Sequence, residues 1–328
     1  MPLGDLVENR NLVLCVIGVA ALALFGAALS TQPLPFLFAA LVIGLGSVAV
    51  QILIPYAAHL APETARGRVV GDVTTGLMIG IMLARPASSF IASISSWRVV
   101  YIFSGTVMVV LAIVLFCALP RRTPKAQLGY RALLASMGLL FMTTPILRRR
   151  ALYQAFLFGA FSLFWTTIPL LLAGPEFHMS QRGIALFALA GVAGAVAAPI
   201  AGRVADRGWS RAATGAAMLI SALAFLLTLV GDAGSTTSLV LLVAAAIPLD
   251  FGVQGNVVLD YRALFILGAE YRSRLNGLYM ATFFLAGAAG SGLGAWAFAR
   301  GGWELASCIG LALPALALIY FATEHRGV

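Results

Sequence analysis

The chain has 328 residues, of which 61% are hydrophobic and 10% charged, and 21 Lys and Arg against 12 Asp and Glu give a net charge of +9 and a mean hydropathy of +0.98. Soluble domains carry about 25% charged and about 45–50% apolar residues, so this composition excludes a soluble globular protein and places most of the chain in lipid. No soluble basic face exists for nucleic acid, and the positive charge instead marks cytoplasmic loops.

A hydrocarbon core about 30 Å thick takes about 20 apolar residues in a helix. Ten segments meet that template, at 11–30, 35–58, 70–94, 98–119, 151–173, 183–203, 211–231, 237–259, 275–299 and 302–322. Acids at Asp5 and Glu8 precede the first run where a signal peptide would carry basic residues, so that run is read as a permanent span. Small residues cluster at 191–198 and 286–294, which suits close helix packing in lipid. Nearly all Lys and Arg fall on one set of alternate loops, with Arg98, Arg182 and Arg300 on the other. Both termini and the basic 120–150 loop are therefore expected on the cytoplasmic side of an inner membrane, the loop serving topology and contact with anionic lipid.

Cys15, Cys117 and Cys308 lie apart in apolar runs, and His59, His178 and His325 lie apart at span ends or loops, so neither a disulfide framework nor a metal site is expected. No phosphate-binding glycine loop or nucleophile constellation stands out, which argues against a pump or a hydrolase and for a protein with no cofactor.

The chain matches itself. Arg66-Gly-Arg68-Val-Val-Gly71 before span 3 pairs with Arg272-Ser-Arg274-Leu-Asn-Gly277 before span 9, and Trp97 pairs with Trp303 at the same offset of 206 positions. Earlier, the segment from Gly4 through Glu8 to Arg10 pairs with Gly202 through Asp206, Arg207 and Arg211, with Gly4 and Gly202 offset by 198. Two spans precede the second copy and none the first, so the chain is read as a six-plus-six protein without its first two helices. That gives an N-terminal bundle of four spans at 1–119, the inter-bundle loop at 120–150 and a six-span bundle at 151–328.

The Gly202-x-x-x-Asp206-Arg207-x-x-x-Arg211 string resembles the cytoplasmic loop signature of the Major Facilitator Superfamily, which follows that family's second and eighth helices. The resemblance covers the whole chain and implies an all-α polytopic fold of two pseudo-symmetric bundles with about ten of twelve transmembrane helices present. It also implies that Asp206, Arg207 and Arg211, with Gly202, form a cytoplasmic gate. The N-terminal copy, Gly4, Glu8 and Arg10, departs from the pattern: Glu8 replaces Asp, and Asn9 and Asn11 replace Arg and Gly.

Ionisable groups deep in a span cost at least about 2.5 kcal/mol each and so need a partner, a cavity or a function. Arg85, followed by Pro86, sits in the middle of span 3, and Asp250 lies two residues past Pro248 in span 8. Arg85 reads either as a coupling or cavity residue or as a structural charge pair. Asp250 reads either as a proton-coupling carboxyl or as a paired acid in a proline-interrupted helix. The Arg85-Pro86 segment looks like a degenerate form of the fifth-helix motif of proton-driven drug exporters, with Ser89-Phe90 in place of a doubled glycine. Gln51 and Tyr56, then Gln154, Trp165, Thr166 and Thr167, then Asp250, Gln254 and Asn256 recur every third span. By the resemblance these spans are cavity-lining helices.

The expected function is secondary transport of a small molecule by alternating access, coupled to protons and directed to efflux of amphipathic compounds by a monomer. A ten-helix drug/metabolite transporter of two five-helix repeats would place the internal offset near half the chain, which 198 and 206 contradict. A transport-inactive receptor or a fragment of a transporter is the remaining reading, and an enzyme would gather its polar groups at one membrane face.

Overall fold

A computed structural model describes residues 8–60, 62, 66–120, 130–232, 234–267 and 272–324. Every regular element among them is a helix, and the chain forms two compact units, Met1–Ser136 and Met137–Val328. Among the described residues, six helices are each long and apolar enough to cross a membrane.

In the first unit, α1 (Asn9–Leu29) packs on α2 (Pro33–Gly46), α3 (Ala49–Leu60) and α5 (Trp97–Ala118), while α4 (Arg66–Ile94) lies against α3 and α5. Its core joins Val13 and Ile17 of α1 to Ala49 and Ile52 of α3. The span expected over 35–58 is two helices here. A side chain at Gly46 would reach within 3.1 Å of Ala20 Cα, so the end of α2 meets α1 almost backbone to backbone before the chain restarts at Ala49. Most of α5 is exposed, as a lipid-facing helix requires.

The second unit is built around α7 (Pro145–Ala173), which buries Tyr153, Leu157, Phe164, Trp165 and Ile168 in the largest core cluster. Around it lie α8 (Gln181–Ala188), a 3-10 segment (Leu189–Val196), α9 (Ala197–Asp206), α10 (Ser210–Thr228), α11 (Thr236–Phe265) and α12 (Arg272–Ala322). Within α12 the two spans expected over 275–299 and 302–322 are two helices joined at Gly301-Gly302, whose backbone is not helical, Gly302 having φ 62° and ψ −154°. Only glycine occupies that region readily. Gly290 of α12 lies on the backbone of Gly159 in α7, a contact that no Cβ could enter.

Part of the loop expected at 120–150 is helix. α6 (Tyr130–Thr143) does not meet the 20-residue apolar template because it is short and amphipathic, with Leu140 and Phe141 packed against Leu147, Leu275 and Tyr279. The chain then enters α7 at once, Pro145 taking its first turn, so Arg148, Arg149 and Arg150 are helical rather than in a loop. The span expected over 183–203 is also broken, since its middle winds as a 3-10 helix between α8 and α9.

The internal repeat reappears as matching contacts inside each unit. Arg10 Nη2 donates to the Phe116 carbonyl at 2.6 Å, and Arg211 Nη2 donates to the Glu324 carbonyl at 2.6 Å. Each guanidinium also stands over an aromatic ring of the helix it caps, Phe116 at 4.6 Å and Phe321 at 5.4 Å. At the opposite end, Arg98 donates to the Ser30 carbonyl at 3.3 Å, while Trp303 Nε1 donates to the Thr228 carbonyl at 3.2 Å. Ser30 and Thr228 are themselves 198 positions apart, the offset of the first signature pair. Carbonyls at helix ends lack partners within the helix, so both units satisfy them in the same way.

Candidate functional site

Pro248 and Asp250 are carried by α11, whose free carbonyls neighbouring helices can satisfy in a membrane. The Asp250 residue is 3% exposed, and its Oδ1 accepts a hydrogen bond from Trp165 Nε1 of α7 at 2.8 Å. Phe161, Phe164 and Phe187 surround the Trp165 ring, with centroids 6.4, 5.5 and 6.2 Å away. The third wall is the 3-10 segment. A Cβ at Gly191 would stand 2.8 Å from Asp250 Oδ2 and 2.9 Å from Trp165 Cζ2, and one at Gly194 would stand 3.0 Å from Asp250 Cβ. The backbone thus approaches a buried carboxylate where α-helical winding is interrupted, a combination that marks functional hinges.

Toward the other end of the α7 and α11 contact, Asn256 Nδ2 donates to Gln154 Oε1 at 2.8 Å, and Gln154 Nε2 reaches the Val253 carbonyl at 3.4 Å. Both amides are fully buried, whereas Gln254 is half-buried. The structure therefore brings together four of the residues expected to line a cavity, Trp165 with Asp250 and Gln154 with Asn256. Thr166 bonds to Ser291 of α12 at 3.0 Å, and Thr167 turns back to its own helix. In the first unit, Tyr56 is 1% exposed and its hydroxyl donates to the Pro120 carbonyl, holding a helix end. The side chains of Gln51 and Arg85, and the whole of Gly4, lie outside the described residues.

The signature residues occupy the end of the second unit that bears most of its arginines. Asp206 pairs with Arg262 of α11, both well exposed, and Arg211 caps α12 as described, while Arg207 is exposed and Gly202 half-buried in α9. Glu8 accepts from Asn11 at 2.6 Å in the first unit. Thus Asp206 and Arg211 each tie down a different helix rather than each other. Between α9, α10 and α11 runs an apolar cleft of about 320 Å³, lined by Ile200, Val204, Trp209, Ile220 and Phe251, which suits hydrocarbon rather than a charged solute.

Sequence reading missed four polar groups buried beside Gln154 and Asn256. They are Arg150 (7% exposed), Thr214, Asp260 and Tyr279 (each fully buried), from α7, α10, α11 and α12. Arg150 falls in the loop expected at 120–150, and Asp260 falls just past the span expected over 237–259. The signal was helical spacing: Arg150 precedes Gln154 by four positions, and Asp260 follows Asn256 by four, which places each pair on one face. Among the described residues, no group of three or more His, Cys, Asp or Glu could hold a metal ion.

The comparisons with known proteins agree with this architecture. A family model described as Major Facilitator Superfamily matches residues 1–261. A transporter of Escherichia coli called YgaY, itself uncharacterized, is 36% identical over 99% of this chain and 82% of its own length. A probable transporter of Streptomyces coelicolor, SCO4007, is 32% identical over 92% of this chain and 69% of its own. Among solved structures, the human organic anion transporter MFSD10 has a TM-score of 0.67 at 21% identity, covering 98% of this chain and 78% of that one. A mutant of the nucleoside transporter NupG has a TM-score of 0.72 at 15% identity, covering 96% and 82%. With an all-α polytopic membrane fold, a repeat visible in both units and a family match over most of its length, the chain belongs to the Major Facilitator Superfamily of membrane transporters.

Proposed function

We propose that the protein is a proton-coupled exporter of small amphipathic molecules, working as a monomer in the inner membrane by alternating access, with both termini cytoplasmic. The observation that carries this reading is the Asp250 carboxyl, buried inside a membrane helix, bonded to Trp165 and closed over by the 3-10 segment at Gly191 and Gly194. A charge in that position needs a function or a partner. Protonation supplies the function: a neutral carboxyl holds the indole N–H less strongly than an anion does, since charge-assisted hydrogen bonds are about twice as strong. The same event relaxes the packing of the 3-10 segment, so proton binding and a change of backbone shape share one contact. Phe161, Phe164 and Phe187, buried with Trp165 in the core of the unit, keep this contact apolar, so the charge state of the carboxyl bears directly on its bond to the indole.

Asp206 with Arg262, and Arg211 with the end of α12, would serve as the cytoplasmic gate, with Arg207 exposed beside them and Glu8 and Arg10 in the equivalent place of the first unit. Gln154, Gln254 and Asn256 would line the substrate path, with Gln51, Tyr56 and Arg85 their counterparts in the first unit. The test is transport in proteoliposomes under an imposed pH gradient, using fluorescent amphipathic cations and anions as probes. Wild type should move a probe against its gradient, and Asp250→Asn should insert and fold normally yet lose pH-driven movement. Unchanged pH-driven movement by that variant removes Asp250 from the mechanism.

A further inference from the structure

The cluster around Asp260 is built unlike an ordinary structural ion pair. Arg150 Nη1 donates to Thr214 Oγ1 at 2.9 Å and stands 3.5 Å from Asp260 Oδ1, so the guanidinium's short bond goes to a neutral hydroxyl and not to its counter-charge. The other carboxylate oxygen, Oδ2, accepts from Asn256 Nδ2 at 2.9 Å and from the Tyr279 hydroxyl at 3.1 Å. Three buried atoms of the cluster have no hydrogen-bond partner: Arg150 Nε, Asn256 Oδ1 and Asp260 Oδ1. Desolvating an ion pair is offset only when geometry is good and the leftover lone pairs and protons are bonded, and here neither condition is met. A buried pair of this kind is weak evidence of a purely stabilising role.

It does leave one open acceptor on the carboxylate. Oδ1 can take a proton without displacing either donor on Oδ2 and without breaking the bond between Arg150 and Thr214. We propose that Asp260 is a second proton-binding carboxyl of the second unit, whose protonation releases α11 from Arg150 of α7. The idea deepens the proton-coupled reading and rests on it for its role in transport. A proton arriving from water forms an O–H bond on Oδ1, the carboxylate becomes a carboxylic acid, and the Arg150 guanidinium keeps both its charge and its hydrogen bond to Thr214. The cluster passes from neutral to a single positive charge.

The groups facing the carboxyl come from four elements. Arg150 comes from α7, the uncharged Thr214 from α10 through Arg150, Asn256 and the neighbouring Tyr261 from α11, and Tyr279 from α12, whose ring packs 5.3 Å from that of Tyr261. Arg149 and Tyr153 of α7 are engaged with Thr323 and Glu324, and Arg262 with Asp206. Asp250 lies ten residues away on α11, about 15 Å along the axis, so the two carboxyls are separate sites.

The experiment is acid-induced infrared difference spectroscopy of the full chain in liposomes, which needs no substrate. Isotope labelling of aspartate identifies carboxyl bands, and melting curves confirm the fold of each variant. The expected result is a protonated-aspartate band that appears on acidification, vanishes in Asp260→Asn and persists in Asp250→Asn. An acid-induced spectrum that is the same in Asp260→Asn as in wild type overturns the proposal and leaves the reading of Asp250 untouched. Should Asp260→Asn fail to fold, Tyr279→Phe removes one donor while keeping the ring. A band displaced in frequency by Tyr279→Phe supports the assignment, and an undisturbed band overturns it.

Discussion

At Gly191 and Gly194 the packing against Asp250 leaves room for a hydrogen atom and for nothing larger. A methyl group at Gly191 would press on both Asp250 Oδ2 and the Trp165 ring, at 2.8 and 2.9 Å, and the hydrogen bond between those two groups holds each in place. Gly191→Ala is therefore expected to retain the fold at a cost of about 1–3 kcal/mol while reducing pH-driven transport more than tenfold, which melting curves and proteoliposome flux would measure together. Full transport with only a lowered Tm would show that the close approach is merely packing. Trp165→Phe tests the same site from the other side. It keeps an aromatic ring but removes the indole donor to Asp250, so it should alter the pH dependence of transport, whereas an unaltered pH profile with slower transport would assign Trp165 to substrate contact alone.

Helix ends hold the next scale together. Arg211 caps the carbonyl of Glu324 and covers Phe321, as Arg10 caps Phe116 in the other unit. Arg211→Ala should cost about 1 kcal/mol of stability through the lost cap and ring contact, read as a fall in Tm, with transport impaired further if the contact also gates. Gly302→Ala meets a different obstacle, because φ 62° with ψ −154° is glycine territory, and about 1–3 kcal/mol of strain is expected there, read as a lowered Tm or reduced yield of inserted protein. These elements also show what could be read beforehand. Long apolar runs such as α1, α7 and α11 announce themselves through length, since lipid demands about 20 residues. Helix α6 did not, because its short amphipathic pattern lies in a basic segment, and the 3-10 winding at Leu189–Val196 did not, because a run of Gly and Ala reads equally well as straight helix. Asp250 was legible as a deep charge, but its partner Trp165 lies 85 positions earlier and became visible only when α7 met α11. Arg150 and Asp260 were legible by spacing alone and were hidden by where the span boundaries had been drawn.

Across the whole molecule, alternating access requires a protein that exposes its polar path to one side of the membrane at a time. The path proposed above includes Gln254, half-buried on α11 one turn beyond Asp250. The most direct measurement is membrane-impermeant thiol labelling of Gln254→Cys, with Cys15, Cys117 and Cys308 replaced by alanine, from each side of oriented vesicles with the proton gradient imposed in either direction. Under alternating access, labelling from one side should rise as labelling from the other falls when the gradient is reversed. Labelling fixed to one side under both gradients, or equal from both sides at once, would contradict alternating access and leave the chain a receptor or a leak rather than a coupled transporter.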